Sequence, residues 1–546
     1  MKLLLVGLVF ALLPAAFAAE TAPPPDGTEP LAGETVFIPE LRGIVCVPEG
    51  DNLPPAPAGF AGVDVSRTPL LSDPAAAELM RQFLGKPMSF GSLDRLCIGL
   101  RTWLRVMGQP FVSVHAPPQE VTDGVIRLVV RLSHLEGEIG IEGARWFSED
   151  SYRAAVPLAA GAGIDGVALQ AGVDRLNRNP HRRVVVVAEP GSQAGTTRLV
   201  LRTQESKPWQ VTAGYSNSGT AVTDEHRLTA GWSWGNAFGR GDTLGYNLSA
   251  DPGFDHSVSH SANYGTTFAS GRSLVAFGSH STIESALPAP LTQEGTSWQA
   301  GVRFGVPLAK SAGGWERSLS LAADFKYSDN TLEFAAIPIT DNVTHIAQFG
   351  VTLSATRRGE ARSLSLGASL YASPGGLTPH NEDAAFAVAR PGAKAAYAYG
   401  RLDARLAQRL PGGFSLTLAA GLQAASGPLL GSEQLNGGGS AGVRGFGEST
   451  AFGDDGAVVN AELHLPGFAV AVGRDQADAF VFVDAAVLGT QGPGGDTTEL
   501  ASAGVGLNYR LASAFSLRAA YGWALEKPNS FAGKSGHGHV SANFSF

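Results

Sequence analysis

At its carboxy end the chain alternates strictly: Val540, Ala542, Phe544 and Phe546 are interleaved with Ser541, Asn543 and Ser545. A period of two sends successive side chains to opposite faces of a strand. Leu319, Leu321, Ala323, Phe325 and Tyr327 alternate in the same way with Ser318, Ser320, Asp324 and Lys326. So do Ala503, Val505, Leu507, Tyr509 and Leu511 with Gly504, Gly506, Asn508 and Arg510. One apolar face for lipid and one polar face for a wet lumen is the pattern of an outer-membrane strand. The edge strand of a soluble sandwich looks similar in isolation, but that reading weakens with every repeat. Sixteen such segments follow Pro208, beginning near Trp209, Arg227, Asp242, Ser259, Arg272, Ser297, Arg317, His345, Arg362, Lys394, Phe414, Gly456, Ala479, Leu500, Phe515 and Gly538. Each takes ~20 residues with its turn, which suits tilted spans of about 10 residues. The pattern predicts a transmembrane antiparallel β-barrel over 207–546. An even strand number leaves both barrel ends in the periplasm and puts the loop after strand eleven outside.

Before Pro208 the spacing is different and predicts small α/β modules. A strand is expected at Phe37-Ile38. One helix starts at Asp73-Pro74-Ala75, with an Asp cap and Pro in its first turn, and a second runs from Ser89 through Leu104. Strands over 111–114 and 125–132 follow. The order recurs: a strand over 139–141, helices over 148–156 and 166–178, then strands over 184–188 and 197–202. Two copies of one β-α-α-β-β plan form an internal repeat.

The amino end reads as an export signal over 1–18. Met1-Lys2 is positive, residues 3–13 are apolar, and Ala16-Phe17-Ala18 supplies the cleavage pattern. The apolar run is too short to span a bilayer as a helix, which needs about 20 residues. Residues 19–34 read as a Pro-rich linker. Gly is abundant (69 residues), charged residues are sparse (16%), and mean hydropathy is near zero, as strand alternation requires. A net charge of −9 disfavours a nucleic-acid partner. Cys46 and Cys97 are the two cysteines, both exported, and a disulfide between them is expected. Closing a loop of roughly 50 residues stabilises by ~4 kcal/mol in the chain-entropy picture. Neither cysteine has a His or second Cys at ligand spacing, so no metal site is expected.

Several motifs carry a family resemblance over essentially the whole mature chain. Pro117-Pro118-Gln119, Asp123-Gly124 and Leu135-Glu136-Gly137, then Leu176-Asn177-Arg178-Asn179-Pro180 and Arg182-Arg183, resemble paired periplasmic POTRA domains. Val443-Arg444-Gly445-Phe446, in a Gly-rich loop over about 430–456, resembles the VRGF motif of two-partner secretion transporters (the TpsB class of haemolysin-activator and filamentous-haemagglutinin-transporter type) and of their barrel-insertase relatives. Phe482-Val483-Asp484-Ala485-Ala486 resembles that family's F-x-D-x-G, with Ala486 in place of Gly. The resemblance implies POTRA domains over 35–137 and 138–206, and a loop held inside the pore by Arg444 against Asp484 on strand thirteen. It implies capture of an unfolded exoprotein by the POTRA pair and its secretion through the barrel, with outer-membrane lipid and the barrel-assembly machinery as further partners. The terminal Phe546 resembles the signal which that machinery reads. A barrel-assembly insertase of the same superfamily and a passive porin are the competing readings. A plug helix before Thr35 is not evident, which leaves the plugging mechanism open.

Catalytic patterns lack their structural context, and neither an enzyme nor a cofactor is expected. Gly231-Trp232-Ser233-Trp234-Gly235 fits G-x-S-x-G but sits in an alternating strand, not a strand–turn–helix. The G-x-G-x-x-G at 161–166 follows a helix, whereas the dinucleotide fingerprint follows a strand. His537 and His539 lack a third ligand.

Overall fold

The computed structural model describes residues 35–50, 59–121, 123–193, 195–268, 270–309, 311, 313–335, 337–471, 473–528 and 535–546. The signal peptide and the Pro-rich linker expected over 1–34 lie outside them. Two compact units are present: one of residues up to Ile139 with Leu158–Gln170 and Ala188–Leu199, the other of Gly140–Pro157, Ala171–Val187 and Val200–Phe546.

The first unit is built on β2 (Gly43–Pro48), preceded by the short β1 (Val36–Ile38). Its sheet runs in the order β3 (Gly62–Asp64), β2, β6 (Val125–Leu132), β5 (Val112–His115), with β2 parallel to both β3 and β6. Helices α1 (Pro74–Arg81) and α2 (Phe90–Val106) cover one face. Asp73 caps α1, its Oδ1 accepting from Ala75 N at 2.8 Å, and Ser89 with Ser92 forms a capping box on α2. β4 (Met88–Ser89) leads into α2 and pairs with β1.

The strand expected at Phe37-Ile38 is present as β1, and β2 corrects the sequence reading by adding a strand that it missed. Ile44 and Cys46 pack under the helices, while Val45 and Val47 pack with Phe60 and Val125 on the other face. A strand covered on both faces has no alternation to detect.

The expected disulfide is also corrected. Cys46 on β2 and Cys97 on α2 share the core but are free thiols. The Cys46 thiol is turned to Met80 of α1, Sγ to Sδ 3.7 Å. Burial pushes the Cys46 thiol up to about 12 and that of Cys97 to about 11. A thiol this reluctant to ionise is a poor partner for disulfide exchange.

The second β-α-α-β-β module follows as β8 (Gly140–Glu142), α3 (Glu149–Ala155), α4 (Gly166–Leu176), β9 (Arg182–Pro190) and β10 (Thr196–Glu205), after a short β7 (His134–Leu135). β10 runs parallel to β8, Val200 opposite Gly140.

Among the described residues sixteen strands close an antiparallel barrel, from Trp209–Ser216 to Gly536–Ser545. First and last strands pair from Thr212↔Ser545 to Ser216↔Ser541. Phe546 extends this seam: its N–H donates to Val211 O at 2.9 Å, and its carbonyl accepts from Val211 N at 3.1 Å. Outward positions such as Leu321, Leu353, Leu370, Leu402, Val483 and Val505 are exposed and apolar, forming the band that lipid covers. Strands six to eight are longer than a span of about 10 residues needs. They run over Leu291–Leu308, Trp315–Phe334 and Ile337–Arg358.

Candidate functional site

The loop joining strand eleven (Ser415–Ala425) to strand twelve (Asp455–His464) turns back into the barrel. Leu435–Asn436 pairs with Phe452–Gly453 to make a stem. Val443 N then donates to Gly437 O at 2.8 Å, closing the glycine-rich stretch on itself. Val443 and Phe446 are fully buried against Val458, Ala486, Leu488 and Leu500. This explains why strand thirteen, Asp475–Gly489, is apolar on both faces from Ala479 to Leu488 except at Asp484. Val481, Val483 and Val487 face outward, whereas Phe480, Phe482, Ala486 and Leu488 are buried beneath the loop. Ala486, the one departure from the F-x-D-x-G pattern, fits because Gly437 lies over it.

Arg444 is 3% exposed and Asp484 0%. The guanidinium grips the carboxylate at two points, Nε to Oδ2 and Nη2 to Oδ1, both 2.8 Å. Bidentate, charge-assisted pairs of this kind are the strong ones. The Arg444 backbone N also donates to Oδ2 at 3.1 Å, and Asn460 Nδ2 donates to Oδ1 at 2.9 Å. Nη1 donates to Glu462 on strand twelve. The guanidinium carbon stands 3.7 Å from the centroid of the Phe482 ring, a cation–π contact. The two matched motifs thus meet in one cluster.

Glu462, Asn460 and Arg518 complete that cluster, and sequence reasoning missed all three. Arg518 Nη2 donates to Glu462 Oε1 at 2.5 Å. His464 lies between Glu462 (3.1 Å) and Asp478 (2.7 Å). In sequence these residues look like ordinary lumenal charges; only the register of strands twelve to fifteen gathers them.

Two glycines set how closely the loop tip seats. Gly445 adopts φ +98°, open chiefly to glycine. A Cβ on Gly522, on strand fifteen, would stand 2.6 Å from Gly445 N. Backbone therefore meets backbone there, a contact no side-chain pattern announces. On strand fourteen, Gly506 and Gly504 sit opposite Phe480 and Phe482 and leave room for their rings.

The loop is also held at its root. Buried Glu433 accepts from Tyr399 OH (2.8 Å), Gln348 Nε2 (3.1 Å) and Lys326 Nζ. On the amino side of the barrel, the Leu176–Pro180 motif ties into barrel turns. Arg178 Nη1 donates to Gly271 O at 2.6 Å and Asn179 Nδ2 to Gly241 O at 3.2 Å.

Residues 195–509 match the haemolysin secretion/activation protein family ShlB/FhaC/HecB, and residues 60–131 match the ShlB-type POTRA domain. The outer membrane transporter CdiB of Dickeya dadantii (strain 3937) is 24% identical over 225 residues, 41% of this chain and 39% of that one. The hemolysin transporter protein ShlB of Serratia marcescens is 26% identical over 345 residues, 60% of this chain and 58% of that one. Each alignment therefore spans less than two thirds of the relative's length. The solved structure of CdiB from Escherichia coli has the same fold, with a TM-score of 0.76 at 17% identity over 97% of this chain and 93% of that one. A closed barrel with a lipid-facing band and a POTRA region places the protein in the outer membrane, its POTRA region in the periplasm. The family match extends over more than half of the chain, which belongs to the ShlB/FhaC/HecB family of two-partner secretion (TpsB) transporters.

Proposed function

We propose that the protein secretes an unfolded exoprotein: two POTRA modules, over 35–137 and 138–206, capture it in the periplasm, and the barrel conducts it outward. One observation carries this reading. The barrel holds an internal loop whose Arg444 is fixed to the wall by a buried bidentate pair with Asp484. A passive pore has no need of a POTRA region, which this chain carries at residues 60–131, whereas a translocator uses one for capture and needs a loop that seats reversibly while cargo passes. β5 ends its sheet, and a strand edge offers main-chain hydrogen bonds to an extended partner whatever its sequence. Folding of the cargo outside supplies the direction. Assembly by the barrel-assembly machinery, with Phe546 as its signal, belongs to the same reading.

Co-expression with a candidate exoprotein tests it. Cargo should accumulate in the medium only when this protein is present. Cargo retained in the periplasm, with a correctly assembled barrel and every candidate partner tried, contradicts the reading.

A further inference from the structure

Asp454, the residue before strand twelve, is a second buried carboxylate at the root of the loop, 0% exposed. It accepts five hydrogen bonds. Arg390 donates two, Nη1 to Oδ1 and Nη2 to Oδ2, both at 2.6 Å. Leu429 N (2.9 Å), Gln491 N (2.7 Å) and Gln434 Nε2 (3.2 Å) donate the others. These donors come from three different loops: Arg390 from that joining strands nine and ten, Gln491 from that joining strands thirteen and fourteen, and the rest from the secretion loop itself. All three follow odd-numbered strands and so lie at the outer mouth of the pore.

Arg390 directly follows α5 (Asp383–Ala389). Phe386 of α5 is buried among Ile346, Tyr397, Tyr399, Leu429 and Leu430. Tyr399 reaches Glu433 of the inward-folded loop, and Tyr397 OH donates to Gln348 at 2.9 Å. Both tyrosines are therefore on the inner wall, and α5 lies inside the mouth. Val388, Ala389 and Arg390 border a cavity of about 890 Å³ that also touches Ser297, Gln299 and Asn330. Moving α5 would enlarge this cavity directly. Arg390 Nη1 also donates to Leu429 O, so one side chain ties α5 to the loop root.

We propose that the Arg390–Asp454 fork is a latch, holding α5 in the outer mouth and fixing the root of the secretion loop until cargo arrives. Arg390 and Asp454 act as positioning residues, through the two loops they join. The purpose of the latch rests on the translocator reading, but its closure can be measured without cargo.

Full-length protein in planar bilayers provides the test. Arg390→Ala should raise the occupancy of the conducting state at least about tenfold, equivalent to about 1.4 kcal/mol. It should also expose the 375–395 loop to added proteinase K. Arg390→Lys keeps the charge but loses the fork, and its conductance should fall between wild type and Arg390→Ala. Unchanged conductance and unchanged protease protection in a heat-modifiable barrel overturn the latch. If Arg390→Ala does not assemble, Arg390→Lys decides: raised conductance supports the latch and wild-type conductance overturns it. Raised conductance in a protein that secretes no candidate cargo keeps the latch and counts against the translocator reading instead.

Discussion

Arg444→Ala removes the two 2.8 Å bonds to Asp484 and the bond to Glu462. Asp484 is not left bare. It keeps Asn460 Nδ2 at 2.9 Å and can keep the backbone N of residue 444 at 3.1 Å. The cost should therefore fall at the lower end of the roughly 3–5 kcal/mol for breaking a buried pair. Asp484→Ala leaves the guanidinium with Glu462 and the Phe482 ring. That is again a partial loss, of about 3 kcal/mol, or roughly a hundredfold in the equilibrium between seated and unseated loop. The double variant loses one pair, not two, so the coupling should be about 2–3 kcal/mol. Strand pairing does not depend on either side chain, and all three variants should remain heat-modifiable barrels. Protease sensitivity of the loop and cargo in the medium are the readouts, measured across the full cycle. Single variants that behave as wild type, or effects that simply add, refute the partnership.

Three further outcomes follow from the geometry. Deleting Phe546 removes both backbone bonds to Val211 at the seam, so heat-modifiable barrel in the outer membrane should fall while synthesis continues; normal levels contradict this. Non-reducing mass spectrometry should find Cys46 and Cys97 as thiols that alkylate only after unfolding, whereas a linked peptide pair contradicts the structure. Gly522→Ala places a methyl 2.6 Å from Gly445 N; overpacking of this kind costs about 1–3 kcal/mol, so the loop should become protease-sensitive in an intact barrel, and full protection argues against close seating.

Period-two alternation made the barrel legible because each strand separates lipid from water, and it placed the loop after strand eleven. It failed at β2, where Val45 and Val47 are as buried as Ile44 and Cys46. Arg444 and Asp484 were legible as motifs. Their burial was not, because a lumenal charge pair reads as half-solvated until Val443 and Phe446 are seen to exclude water around it. Glu462, Arg518 and the Gly445–Gly522 contact depend on register across strands twelve to fifteen, and Arg390–Asp454 on how three loops converge. Compartment and count point to a cysteine pairing, but neither reports where a thiol points. Cys46 points at Met80.

The central claim, that cargo crosses inside this barrel, is tested most directly by photocrosslinking during secretion. A crosslinking residue would replace Ser279, Gln299 or Asn330 beside the internal cavity, or Val481 or Val505 on the lipid-facing band. A stalled exoprotein should crosslink from the first three positions and not from the last two. Cargo that reaches the medium without crosslinking from any inner position, or that crosslinks equally from the lipid face, would contradict passage through the lumen.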